Sequence, residues 1–250
     1  MFSFIVPYRK NRAEHLKNFG CNIASHYKNC EVIIAEQDDD NPFKRGQLLN
    51  LGFKKSSGEI VIFLDVDIRF VEFLDFNRLM KESGKPFLPW DHRQQIVEES
   101  PNQFVILKDE CYYCTQGFGG MTVFTRNQFS DCEGFSNRFC GWGAEDTELN
   151  IRVNGIRRFS GNLYHVKHPS YMKEFDPTKD KYTLHNRKML SERKKYNPKL
   201  DSFRHTVADE EIQKDVVSDF FKHYRFRNIS VSDDCPYKKL VTDIYESKVQ

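Results

Sequence analysis

Short apolar runs alternate with stretches of helical spacing over the first quarter of the chain, and this alternation carries most of the fold information. Phe4-Ile5-Val6 and Val32-Ile33-Ile34-Ala35 have strand length, while Ala13 to Tyr27 between them places Leu16, Phe19 and Ile23 on one helical face. The pattern predicts a βαβ opening. Arg45 to Lys55 repeats the helical spacing with Leu48, Leu49, Leu51 and Phe53, and Gly58 then releases the chain into a third strand, Ile60 to Leu64. That strand runs straight into Asp65-Val66-Asp67. Continuously apolar strands separated by helices predict an α/β fold: a Rossmann-like, mostly parallel central sheet flanked by helices, with its ligand site beyond the strands' carboxyl ends. Phe87 to Trp90, Phe104 to Leu107 and Phe118 to Phe124 predict further strands. Residues 170 to 200, rich in Lys, Arg, Asn and Pro, read as a mobile segment followed by a surface helix. Ile212, Val216, Val217, Phe220 and Phe221 then predict a C-terminal helical segment within 201–250.

Composition narrows the function classes. A chain of 250 residues suits one large domain with a sizeable core. Thirty-eight Lys and Arg against 36 Asp and Glu leave a net charge of +2, so no broad field favours nucleic acid or anionic lipid. With 39% hydrophobic and 14% aromatic residues the chain is not disordered, and a mean hydropathy of −0.66 without a long apolar run predicts no membrane span. Met1 to Pro7 reads as a strand rather than a signal peptide, so the expected location is cytoplasmic. Seven scattered cysteines do not form a disulfide framework. Cys111 and Cys114 lack the second ligand pair of a structural zinc site and read as ordinary thiols.

Four segments could carry chemistry. The aspartate pair Asp65 and Asp67, at a strand end, can hold a hard divalent cation or simply form an acidic turn. Cys140 to Glu148 combines Gly141 and Gly143 with the flat face of Trp142 and the adjacent carboxylates Glu145 and Asp146. A carboxylate beside an apolar wall suits a general base, and the same acidic residues also suit a helix start. His165 and His168, three positions apart, could complete a metal site begun by an aspartate. Arg9 and Arg12 follow the first strand, where they could meet a nucleotide. The run Asp38-Asp39-Asp40 reads as a solvated loop.

Taken together these segments give the chain a resemblance to the beta-1,4-galactosyltransferase family, a metal-dependent inverting group with the GT-A fold. Pro7-Tyr8-Arg9-Lys10-Asn11-Arg12-Ala13-Glu14-His15-Leu16 resembles the family's P-F-R-N-R-x-x-H-L with one extra residue, and Phe43 to Phe53 resembles F-N-R-A-x-L-L-N-x-G-F. Asp65-Val66-Asp67 matches D-V-D, Phe118-Gly119-Gly120 matches F-G-G, and Cys140 to Thr147 resembles W-G-W-G-G-E-D-D. The E-D-T-E form at Glu145 to Glu148 is also similar to the W-G-G-E-D segments of bacterial chondroitin-type polymerising transferases.

The resemblance implies roles. Pro7, Arg9, Arg12, Phe43 and Arg45 would line a uridine diphosphate site, with Asp65, Val66, Gly120 and Trp142 completing the UDP-sugar pocket. Asp67, His165 and His168 would hold Mn2+, or Mg2+, since His165 stands where the galactosyl enzymes of vertebrates carry methionine. Glu145 would bind a sugar hydroxyl, and Asp146 would be the base. Gly117 stands where galactose-specific members carry a tyrosine, which implies room for an N-acetyl group. A hexose, galactose or N-acetylgalactosamine, would pass from a UDP-sugar to a glycan or glycolipid acceptor. The organisation implied is one catalytic domain: a nucleotide-sugar half at 1–125, a catalytic and acceptor half at 126–200 with a closing loop after His168, and the C-terminal segment. The missing anchor of the animal enzymes suggests a microbial or viral source. The rival readings are a nucleotide-sugar-binding module without turnover, and a retaining glycosyltransferase or nucleotidyltransferase on a similar sheet.

Overall fold

The computed structural model describes residues 1–114, 119–168, 180–193, 224–231 and 240–246. The opening follows the sequence pattern closely. Strand β1 (Phe2–Arg9) leads through a single 3-10 turn (Lys10–Arg12) into helix α1 (Ala13–His26), and β2 (Cys30–Gln37), α2 (Arg45–Lys55) and β3 (Ile60–Leu64) follow. Leu16, Phe19 and Ile23 are buried on α1, as their spacing predicts. β1 lies between β2 and β3 and is parallel to both, and Phe4, Ile5, Val6, Ile34, Val61, Ile62 and Phe63 are fully buried.

Beyond β3 the chain passes between this sheet and a second, smaller one. It forms β4 (Ile68–Arg69), α3 (Phe76–Ser83), β5 (Phe87–Leu88) and a long hairpin of β6 (His92–Ser100) and β7 (Gln103–Tyr113). It returns as β8 (Met121–Thr125) and continues through α4 (Arg126–Asp131), α5 (Glu145–Arg152), β9 (Arg157–Arg158), β10 (Asn162–Val166) and α6 (Lys181–Arg193). Two further strands, β11 (Tyr224–Val231) and β12 (Leu240–Glu246), extend the first sheet beyond β2. The large sheet has the order β12-β11-β2-β1-β3-β8-β5-β9, and a small one has the order β4-β10-β6-β7.

The α/β fold class is as expected, and two details differ from the sequence reading. The large sheet is parallel at β2-β1-β3, but β8 runs antiparallel to both β3 and β5, so the sheet is mixed. β5 keeps the direction of β3, and β8 is the reversed strand between them. Residues 201–250, expected to be helical, contribute β11 and β12, whose antiparallel pairing supplies the hydrogen bonds of an otherwise open edge at β2. Ile212 to Phe221, on which the helical expectation rested, Gly117, Phe118 and residues 169–179 of the loop expected after His168 lie outside the described residues. Cys111 and Cys114 are free thiols, the first exposed. Among the described residues no helix is long and apolar enough to cross a membrane.

The core is strongly aromatic. Phe63, Phe124, Phe129 and Phe135 interlock on one side of the sheet, and Phe4, Tyr27, Phe70 and Phe76 on the other, with ring centroids between 4.4 and 6.2 Å in the paired contacts. This packing fixes the ends of β3 and β8, and the residues just past those ends form the site.

Candidate functional site

The turn after β3 is held from both sides. Asp65 N–H donates to Gly120 O (2.9 Å), continuing the β3–β8 pairing in which Leu64 faces Met121. Two residues on, β4 pairs antiparallel with β10 so that Ile68 faces His165, and Val166 N–H donates to Asp67 O (2.8 Å). The register of a two-residue strand therefore places an aspartate beside two histidines that are far away in sequence.

Asp67, His165 and His168 each offer a ligand atom, and these atoms lie within 4.8 Å of one another. Asp67 Oδ2 is 3.3 Å from His168 Nε2 and 3.6 Å from His165 Nε2, and Arg12 Nη1 lies 3.8 Å from the same oxygen. The other carboxylate oxygen, Asp67 Oδ1, is buried without a hydrogen-bond partner, a costly state that a cation would relieve. Burial favours the neutral acid, but the hydrogen bond from His168 and the charges of His165 and Arg12 hold Asp67 well below the usual carboxylate range. Burial brings His165 down to about 4, so at neutral pH its imidazole is uncharged and able to ligate. One carboxylate and two imidazoles form a donor set suited to a divalent first-row metal. The residues fit such an ion.

A cleft of about 640 Å³ adjoins this turn, lined by Phe43, Arg45, Asp65, Gly120, Trp142, Glu145 and Asp146 among others. Seven of the residues singled out in the sequence thus share one cavity. Arg45 Nε donates to Asp65 Oδ1 (2.9 Å), and its Nη1 lies 3.4 Å from Glu145 Oε1. Burial opposes charge on Arg45, but Asp65, Glu145 and Asp146 keep it firmly protonated. Glu145 rises to about 7, first from burial and then from repulsion by Asp146, with Arg45 only partly offsetting both. Asp65 is also raised, by burial ahead of the neighbouring Asp67 charge.

Asp146 stands in the first turn of α5, and its Oδ1 accepts from Thr147 N–H (2.7 Å). A Cβ added to Gly119 would meet Asp146 Oδ2 at 2.9 Å, so a side chain there would press directly on the carboxylate. Trp142 is 53% exposed and lines the cleft. The remaining sequence candidates lie outside the cleft lining. Arg12 borders the metal-ligand cluster, Arg9 sits over the Phe43 ring (5.5 Å to the centroid), and Pro7 and Val66 are buried.

Four polar cleft residues had no motif to announce them: Arg93 on β6, and Thr183, Asn186 and Arg187 on α6. Arg93 Nε is buried without a hydrogen-bond partner, and its charge acts on both Asp65 and His165. Asn186 Nδ2 donates to Cys140 O (2.8 Å), Gly143 O (3.0 Å) and Trp142 O (3.3 Å), clipping α6 to the loop that presents the indole.

Known proteins resemble this chain in sequence and in fold. The family described as the N-terminal domain of galactosyltransferase matches residues 105–169, from β7 through His168. Human beta-1,4-galactosyltransferase 4 is 31% identical over 162 residues, covering 60% of this chain and 42% of the relative. Rat beta-1,4-galactosyltransferase 6 is 32% identical over 177 residues, covering 66% and 40%. The chain thus spans about two-fifths of the length of these curated relatives. The catalytic domain of Drosophila beta-1,4-galactosyltransferase 7, solved with xylobiose, superposes with a TM-score of 0.50 at 16% identity, covering 97% of this chain and 92% of that one. The chain is thus similar in sequence to the beta-1,4-galactosyltransferases over part of their length, and its fold is the GT-A glycosyltransferase fold.

Proposed function

We propose that the chain is an inverting, metal-assisted glycosyltransferase that moves a hexose from a UDP-sugar to a hydroxyl of a glycan or glycolipid acceptor. The observation that carries this reading is the meeting of Asp67, His165 and His168 beside a cleft that contains Asp146 and Trp142. Asp67, His165 and His168 would hold Mn2+ or Mg2+, and such a cation supplies charge neutralisation for a diphosphate leaving group. Arg12, 3.8 Å from Asp67, adds positive charge on the same side. Arg9 and Phe43 suit the nucleotide, while Asp65, Val66 and Gly120 suit the donor sugar. Asp146 takes the proton from the attacking hydroxyl, a role for which a half-buried carboxylate in an enclosed cleft is apt. Trp142 offers its ring face to the acceptor sugar, and Glu145 holds a sugar hydroxyl.

Residues 1–125 would then serve as the nucleotide-sugar half and 126–200 as the catalytic and acceptor half. Galactose and N-acetylgalactosamine are the favoured donor sugars. Slow hydrolysis of UDP-sugars tests the reading without a known acceptor. The chain should release UDP from UDP-galactose or UDP-N-acetylgalactosamine with Mn2+, and much more slowly with chelator. No release from these donors or from UDP-glucose, UDP-N-acetylglucosamine and UDP-xylose, despite tight UDP binding, would favour a binding module instead.

A further inference from the structure

We infer that Arg69, together with Glu98, is a positioning residue for the cation site, an inference that rests on the metal reading above. Arg69 is on β4, 1% exposed, and every N–H of its guanidinium has a partner. Nη1 donates to Val66 O (2.8 Å) and Ile68 O (2.9 Å), the two carbonyls that flank Asp67. Nη2 donates to His15 O (3.1 Å) in the first turns of α1, and Nε and Nη2 make a fork to Glu98 Oε1 (2.6 Å) and Oε2 (2.8 Å) on β6.

One side chain therefore ties together three segments around the ion site. The β3–β4 turn carries Asp67. Helix α1 carries His15, whose ring lies 5.8 Å from that of His168. Strand β6 carries Gln95, whose Oε1 is 3.3 Å from His165 Nδ1, and Ile96 O accepts from Lys167 N–H (2.8 Å) just before His168. Because Arg69 pins the peptide before Asp67 and the carbonyl of Ile68 after it, while Val166 N–H holds Asp67 O, the Asp67 carboxylate is aimed at the two imidazoles before any cation arrives. Lysine could not replace this contact set, since an ammonium has three donors on a flexible stem and no planar fork. A buried ion pair is a weak source of stability by itself, whereas groups behind metal ligands commonly tune affinity by about 10–100-fold.

The test measures Mn2+ affinity of the full chain by electron paramagnetic resonance, alongside Tm. Arg69→Lys should bind Mn2+ at least about tenfold more weakly well below its Tm. The core variant Phe129→Leu, destabilised but remote from the site, should bind as the wild type does. Should Arg69→Lys fail to fold, Glu98→Gln decides, with weakened Mn2+ binding expected from loss of the charged fork. Unchanged Mn2+ binding in a folded Arg69→Lys, or in Glu98→Gln where that variant decides, would overturn the inference. So would equal weakening in Phe129→Leu. Absence of Mn2+ binding by the wild-type chain would instead overturn the metal reading, and this inference with it.

Discussion

Glu145 and Asp146 are adjacent in sequence, yet the chain gives them different surroundings. Glu145 is buried beside Arg45, whereas Asp146 lines the cleft against Gly119 with its Oδ1 held by Thr147. On the proposed role, Asp146→Asn keeps the shape and removes the base, so transfer should fall by about 10²–10⁴-fold while UDP-sugar affinity stays put. Turnover equal to wild type would remove Asp146 from its role. Glu145 makes a separate prediction. Its carboxyl rises from 4.5 to about 7 on folding, so the folded chain holds the extra proton between those values and loses stability as pH climbs through that window. In metal-free protein, Glu145→Gln should flatten the pH dependence of Tm across that range and raise Tm at about pH 8. An unchanged Tm profile would contradict the burial argument.

The element that presents these carboxylates is strained. Gly141 (φ +70°), Gly143 (φ +88°) and Ala144 (φ +80°) take left-handed backbone in one tight loop before α5. Glycine accepts this freely, but alanine at such a φ costs about 1 kcal/mol or more. Ala144→Gly should therefore stabilise the fold by about 1 kcal/mol, read as a rise of about 2–4 °C in Tm. A lower Tm would mean that the alanine methyl is needed. Helices α1 and α2 were legible in the sequence because Leu16, Phe19 and Ile23, then Leu48 and Leu49, repeat at helical spacing and face a core. Strand β7 was legible only in part, since Val105, Ile106, Tyr112 and Tyr113 are exposed and no alternation marks its ends. The direction of β8 had no local signal at all, because it is set by pairing with β3 and β5, which are distant in sequence.

At the scale of the whole molecule, the decisive feature is that β4 and β10 bring Asp67 to His165 and His168. The spacing of His165 and His168 offered a ligand pair, but not its meeting with Asp67. It was legible through resemblance to the galactosyltransferases, whose motifs the chain repeats in order, and the described structure brings the three side chains together. Arg93, Asn186 and Arg69 escaped the sequence reading for the opposite reason. Each is a polar residue within a regular element, and its partners are named only by the fold. The cation site links the turn after β3 to the cleft, so the account depends on it more than on any single catalytic group.

Calorimetric titration of UDP with and without Mn2+, in wild type and Asp67→Ala, tests that link most directly. The wild-type chain should bind UDP markedly more tightly with Mn2+, and Asp67→Ala should bind UDP weakly and equally in both conditions. An Asp67→Ala chain that keeps the full Mn2+ enhancement would contradict the account at its centre.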